Sequence, residues 1–458
     1  MNLRYRRLIY LSFFAIFFIV TPIAILYTTG YRYNFKKHKI EKTGILYVDS
    51  KPKGALVYLN DQYVNKTPSR FTELLPDVYR VRVEKEGYYP WQKNLEVKSN
   101  LTTFSKNIIL FKKSLPTNII VGKINIFNIS PSQDKLFYST IDKNNEELKI
   151  YNLNNKTEFL IKSLDKKTYS QIELVGWAPD SNKALLKETI GDFNKFIITD
   201  VDNLKTKELF DITKLNFDKV IWDETNENYL YGLRKTALYQ IDLVNNSAKN
   251  IMAGNISDFK ASGKNIYYIT KLGKESFLNK ATLLEQKFTF DSKIKLPAFS
   301  SFTLQPSSQD YLVLLDPKNQ NLFIITPNAF TTDEDINNDI VLQDKAKKII
   351  WSKDYKTLLC YTDLEIWTFD LTTFQKNLIT RYGKPIDQLL WYPDNKYAIY
   401  QTQNTIHAIE ADYLEAKNDT QLAEMPQLGL IIVDEAGKNL FFVGQAGTVE
   451  GIYQLEIL

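Results

Sequence analysis

Chemistry in this chain would have to start from very few groups. The sequence holds two His and one Cys, so a His-based metal site, a His-centred dyad and an intramolecular disulfide have almost nothing to be built from. His407 lies in the alternating run Asn404-Thr-Ile-His-Ala-Ile409 with no nucleophile motif beside it, which predicts a surface or strand-packing role. Cys360 sits inside Leu358-Leu-Cys-Tyr361 and is expected to be a buried, inert thiol. No phosphate-cradling Gly-rich loop, GxSxG elbow, HExxH pair or CxxC occurs, and the carboxylates are scattered. One acidic cluster, Asp333-Glu-Asp335-Ile-Asn337-Asn338-Asp339, places side-chain oxygens at alternating positions as a calcium loop does. Asn338 stands where such a loop needs Gly, and Asp344 replaces the bidentate Glu, so a solvated inter-strand loop is the expectation. No catalytic, cofactor-binding or metal-ligating residue is therefore assigned, and no cofactor is expected.

What the chain has in abundance is material for strands. Its 458 residues include 28 Tyr, 27 Phe and 6 Trp against only 17 Gly and 15 Pro, which points to β-rich structure with large side chains to bury. The net charge of +5 is unevenly placed. Residues 1–42 carry eight basic side chains against Glu41, a local charge of +7, so the rest of the chain stands at −2. A basic excess confined beside one apolar segment fits membrane flanking and argues against nucleic acid as a partner.

That apolar segment, Leu8 to Tyr27, runs 20 residues without a charge. At about 1.5 Å per residue it spans about 30 Å, one hydrocarbon core. It exceeds the apolar region of an ordinary cleaved signal, and no clear Ala-x-Ala site follows, so an uncleaved single-pass anchor is expected. Tyr27, Tyr31 and Tyr33 fall where an interfacial aromatic belt would lie. Three arginines precede the span, whereas Arg32, Lys36, Lys37, Lys39 and Lys42 follow it. Counting charges alone favours a cytoplasmic body, but long domains translocate largely regardless of nearby charge. The expectation is a cytoplasmic N-terminus and an extracytoplasmic body, with Lys36, Lys37 and Lys39 near the outer headgroups, able to meet anionic lipid or acidic wall polymer.

From Gly44 the pattern changes to short alternating runs: Gly44-Ile-Leu-Tyr-Val-Asp-Ser50, Ala55-Leu-Val-Tyr-Leu59 and Tyr79-Arg-Val-Arg-Val83. Lys51-Pro52-Lys53-Gly54 and Asn60-Asp61 supply turns between them, predicting a small antiparallel β domain. The residues Ser50, Pro52, Gly54-Ala55, Val57-Tyr58-Leu59-Asn60, Thr67-Pro68, Leu75-Pro76, Tyr79, Val81 and Gly87-Tyr88 resemble a PEGA domain over about 70 residues. Lys53 stands where the name-giving pattern has Glu, and Asp77 where a Gly usually follows the Pro. The resemblance implies a surface-layer or extracytoplasmic β module beside a membrane anchor, with no enzymatic residues to carry over. Trp91 is expected in its core.

Beyond Thr117 the chain repeats. Trp177-Ala-Pro-Asp-Ser-Asn-Lys-Ala-Leu-Leu186 parallels Trp391-Tyr-Pro-Asp-Asn-Lys-Tyr-Ala-Ile-Tyr400 and Trp351-Ser-Lys-Asp-Tyr-Lys-Thr-Leu-Leu-Cys360, with fainter copies beginning at Ile129, Trp222, Phe259, Leu304 and Val433. The landmarks recur about every 43 residues, the length of a four-stranded propeller blade. Eight blades is the direct count, and seven the alternative if one faint copy is a decorated loop. Asn118-Ile-Ile-Val121 is left over at the front while the last repeat has room for only three strands, so the former is expected to complete the latter and close the ring. The Ser130-Pro131 and Pro-Asp-x-x-Lys copies resemble TolB-type, WD-repeat-like β-propellers across about 340 residues; the Gly-His and Trp-Asp hallmarks are missing, so no binding residue carries over.

The expected protein is mainly β: a cytoplasmic stub, transmembrane helix and basic linker (1–43), a PEGA-like sandwich (44–113) and a β-propeller (117–458). A membrane-anchored surface protein, binding or scaffolding envelope protein, peptide or glycan, is the leading functional reading. The alternative is an extracytoplasmic glycan-processing hydrolase or lyase with acids at the propeller channel.

Overall fold

The computed structural model describes residues 3–284, 287–296, 303–306, 311–316, 318–326, 340–412 and 416–458. They form two compact units, one comprising Met1–Leu115 with Leu414–Leu422 and Glu456–Leu458, the other Pro116–Tyr413 with Ala423–Leu455.

The first unit begins with a helix, Leu3–Thr28, whose Tyr5–Thr28 stretch has a mean hydropathy of 2.5 and is long and apolar enough to cross a bilayer. Gly30 ends it at φ +89°, a conformation only Gly adopts cheaply, while its N–H reaches back to the Tyr27 carbonyl. The segment that reads as a basic linker is folded: Tyr31–Asn34 and Lys39–Lys42 pair as an antiparallel hairpin.

Two sheets follow. One is three-stranded, in the order Ser69–Leu74, Gly44–Lys51, Thr102–Ile109; the other is four-stranded, in the order Gln62–Lys66, Leu56–Leu59, Asp77–Glu84, Trp91–Val97. Asn60 and Asp61 take φ of 50° and 66° between Leu59 and Gln62, the two-residue turn with both centres left-handed that matches strand twist. The expected antiparallel module carries one exception, since Gly44–Lys51 and Thr102–Ile109 run parallel. Alternation of buried and exposed residues along Trp91–Val97 sends Trp91, Leu95 and Val97 into a core shared with Leu46, Val48, Val57, Val81 and Val83. Asp77 sits outside the left-handed region, so the departure from the family's Gly costs no backbone strain.

The second unit is a β-propeller. Among the described residues there are eight four-stranded sheets of this kind, numbered here as blades 1 to 8 by their first strands: Lys123–Ile129, Gln171–Trp177, Lys219–Trp222, Ile256–Ser262, Thr303–Pro306, Lys348–Trp351, Gln388–Trp391 and Ile431–Val433. Cores form between consecutive blades: Phe137 and Leu148 pack with Leu186 and Ile197, and Leu185 and Ile198 with Val220, Leu230 and Ile241. Blade 8 is composite. Its fourth strand is Thr117–Val121, hydrogen-bonded to Val449–Glu456 with Ile120 opposite Ile452 and Val121 opposite Gly451. Ile120 then joins Phe127, Leu136, Tyr138, Phe441 and Ile452 in the core between blades 8 and 1.

Candidate functional site

The repeated Pro-Asp stretch is a turn with a fixed hydrogen-bond pattern. In blade 7 the Tyr392 N–H donates to the Tyr397 carbonyl (2.9 Å), the Asn395 N–H to the Tyr392 carbonyl (2.9 Å), and Asn395 takes φ 56°. The same bonds recur at Ser130, Ala178, Ser352 and Asp434, with Gln133, Ser181, Tyr355 and Gly437 in the left-handed position. Pro131, Pro179 and Pro393 preset φ at the second position of their turns. The next residue, Asp180, Asp354 or Asp394, accepts a backbone N–H two residues on and replaces the pairing the loop gives up. In blade 6 the Ser352 hydroxyl (2.7 Å) holds the Asp354 carboxyl below its usual range.

A tryptophan stands ahead of the turns in blades 2, 6 and 7, and another, Trp222, ends the first strand of blade 3; these pack blade against blade. The Trp222 indole N–H donates to the Gly176 carbonyl of blade 2 (3.1 Å), and the Trp391 indole N–H to the Ile350 carbonyl of blade 6 (3.2 Å). Trp177 meets Phe137 of blade 1 edge to face at 6.1 Å.

The strand ends and turns of blades 1, 6, 7 and 8 border an open cavity of about 440 Å³. Ile350, Leu390, Ile431 and Ile432 with Trp351 and Trp391 give it an apolar lining; Pro131, Gln133, Lys353, Pro393, Asn395, Asp434 and Glu435 come from the turns. Two contacts tie those turns together: the Gln133 side chain accepts the Glu435 N–H (3.0 Å), and Lys353 Nζ lies 3.0 Å from Glu435 Oε1, joining blade 6 to blade 8 past blade 7. Tyr392, buried beneath, donates its hydroxyl to the Gly437 carbonyl at 2.8 Å, and burial pushes its phenol pKa up. An apolar basin with a mixed-charge rim can seat a hydrophobic side chain and orient the polar chain that carries it. No group of three or more His, Cys, Asp or Glu suited to a metal occurs among the described residues.

The residues singled out from sequence stay apart. His407 is buried in the third strand of blade 7, stacked on Tyr400 at 5.0 Å with Nε2 3.1 Å from the Thr405 hydroxyl. Cys360 is fully buried in blade 6, and burial raises its thiol pKa well above the free value. Asp333 to Asp339 lie outside the described residues; Asp344 pairs with Lys376. Trp91 belongs to the sandwich core. The cavity itself escaped sequence reading, because its turns are up to 302 residues apart in the chain.

The PEGA domain family model matches residues 43–112, so this segment is a PEGA domain. None of the curated proteins compared matches the chain. Among solved structures, a eukaryotic initiation factor is similar at 12% identity and a TM-score of 0.51, over 73% of this chain and 85% of that one. The C-terminal WD40 domain of Sif2 aligns at 10% identity and 0.49, over 75% and 99%, and the Dos1 propeller at 13% and 0.49, over 75% and 95%. At this identity the first likeness speaks to fold alone, the WD40-like β-propeller.

Proposed function

We propose that this is a membrane-anchored, extracytoplasmic binding protein whose propeller holds an envelope partner at the cavity between blades 1, 6, 7 and 8. The apolar lining of Ile350, Leu390 and Ile432 carries this reading. Those side chains offer nothing to the hydroxyls of a sugar, whereas an aliphatic or aromatic side chain of a protein or peptide would bury apolar surface against them. Lys353 and Glu435 at the rim can then engage the partner's backbone or charges. The mechanism is rigid display: a closed ring fixes eight loops, and binding needs no chemistry. The apolar helix tethers the body, the PEGA domain follows it, and the body faces outward because a long domain is exported regardless of the basic residues that precede it.

The test uses the full chain in detergent micelles as bait for envelope extract, with partners identified by mass spectrometry. Leu390→Arg places a charge in the apolar lining and is expected to abolish capture of the same partner while leaving the far-UV spectrum unchanged. Undiminished capture by that variant moves the site elsewhere, and reproducible release of sugar fragments replaces the binding reading with an enzyme. Protease added to intact cells, with any outer barrier opened, is expected to degrade the propeller; full protection until the inner membrane is lysed reverses the topology.

A further inference from the structure

The hairpin that follows the helix has its faces reversed. Antiparallel register puts Arg32 with Glu41 and Asn34 with Lys39 on one face, and Tyr31 with Lys42 and Tyr33 with Ile40 on the other. The polar face is the covered one. Asn34 is 3% exposed and donates to Glu41 at 2.6 Å, while Arg32 reaches Glu73 of the PEGA domain at 2.9 Å. The apolar face is bare: Tyr33 is 46%, Ile40 55% and Phe35 80% exposed, with the Tyr33 and Phe35 rings edge to face at 5.0 Å. A hairpin with protein on one side and water on the other would place these side chains the other way round.

Its position says what covers that face. Only Thr29 and Gly30 separate the helix end at Thr28 from Tyr31, so the hairpin's root lies within about 11 Å of it. Arg32 fixes the join: its guanidinium stacks over the Tyr27 ring at 3.5 Å and donates to the Tyr27 and Tyr31 carbonyls at 2.7 and 2.8 Å. A segment held this close to the end of a membrane-spanning helix sits at headgroup depth, where aromatic side chains are favoured. We propose that the Tyr31–Lys42 hairpin lies on the bilayer with Tyr33, Phe35 and Ile40 inserted at the boundary between headgroups and acyl chains. Attachment through this face is apolar. Lys37 lies 3.9 Å and Lys39 2.7 Å from Glu41, and Lys36 lies 3.7 Å from Asp77, so these lysines already have anionic neighbours within the protein and anionic lipid is not required. The inference rests on the proposed anchor, and the test separates the two.

Full-length protein is placed in neutral phosphatidylcholine vesicles with brominated acyl chains, and single cysteines are labelled with a small fluorophore at Phe17→Cys in the helix, Phe35→Cys and Ile40→Cys on the apolar face, and Lys39→Cys on the polar face. The native Cys360, fully buried, stays unlabelled. Strong bromolipid quenching at 17, 35 and 40 and weak quenching at 39, unchanged in 1 M salt, is the expected result. Quenching at 17 with none at 35 and 40 overturns the hairpin inference and leaves the anchor standing. Absence of quenching at 17 as well removes both. Oxidative cross-linking between two molecules of the Phe35→Cys variant through the introduced thiol assigns the face to a second copy and overturns the lipid contact.

Discussion

Replacing Gly451 by Ala should open the propeller. A Cβ at this position would lie 1.9 Å from the Ile120 carbonyl oxygen, a backbone atom that can retreat only if the closing strand moves away. What is lost can be worked out from the pairing. Thr117–Val121 meets Val449–Glu456 at four register pairs, and each backbone hydrogen bond there contributes about 1 kcal/mol net. Ile120, 4% exposed, adds about 2 kcal/mol by its burial. Separation of the strand therefore costs about 4 to 6 kcal/mol, a large part of the stability of an ordinary domain. The assay is hydrogen exchange on the full chain in micelles, read at the amides of Asn118 to Gly122, together with the urea midpoint followed by tryptophan emission. Wild type should protect these amides, the variant should lose that protection, and Val449→Ala, on the exposed end of the same strand, should stay within about 0.5 kcal/mol of wild type. Retained protection with an unshifted midpoint refutes the idea that this close approach sustains closure.

The remaining predictions concern charge and close packing. Asp242, held low by the Asn245 backbone N–H at 3.0 Å and its side-chain amide at 2.8 Å, and Asp354, held low by the Ser352 hydroxyl, bind protons less readily folded than unfolded. Their stabilisation is present above the ordinary Asp value of about 4 and is lost as pH falls below it through the depressed folded values, so the urea midpoint should drop as pH is lowered from about 4; a flat or rising midpoint over that range contradicts the assignment. Glu146, 1% exposed, accepts from Asn125 (2.9 Å), Ser139 (2.5 Å) and Tyr169 (2.5 Å). Glu146→Ala strands the buried Ser139 hydroxyl and takes away the acceptor of the more accessible Asn125 and Tyr169, and should cost about 2 kcal/mol by equilibrium unfolding, with Glu146→Gln recovering part of it; a loss below about 0.5 kcal/mol rules the network out as a stabilising element. Gly437→Ala must adopt φ +67° and meet the Tyr392 hydroxyl at 2.3 Å, so a destabilisation of about 2 to 4 kcal/mol is expected, and a neutral result in thermal unfolding would show that this turn relaxes freely.

Much of the architecture was written in local pattern. The first repeat reads as strands at Ile124–Ile129, Leu136–Ile141, Leu148–Leu153 and Glu158–Ile161, and the observed strands Lys123–Ile129, Lys135–Ile141, Asn145–Asn152 and Thr157–Asp165 differ mainly at their ends, where polar residues continue the ladder without an apolar signal. Two faint landmarks were displaced. Strand register aligns Ala261 and Pro306, not Phe259 and Leu304, with the tryptophan position of the other blades. Side chains two residues apart share a face of a strand, so apolar pattern alone cannot choose between them. The 31–42 hairpin was missed because its covered face is polar, which inverts the usual rule, although the spacing of Tyr31, Tyr33 and Phe35 carried a period of two. The parallel pair and the cavity depend on residues far apart in the chain, and composition says nothing of which distant turns will meet.

The composite eighth blade also sets the order in which this protein can be finished. Thr117 pairs with Gln454, 337 residues later, so the chain leaves the ribosome with its first propeller strand already made and its partner still unwritten. Until that partner has been synthesised, the strand that will seal the ring is a bare edge, open to protease and to any passing strand. Contacts this distant are slow to form. A chain truncated even shortly before Val449 would carry seven complete blades and still lack its latch, so damage near the C-terminus should be felt at residue 117.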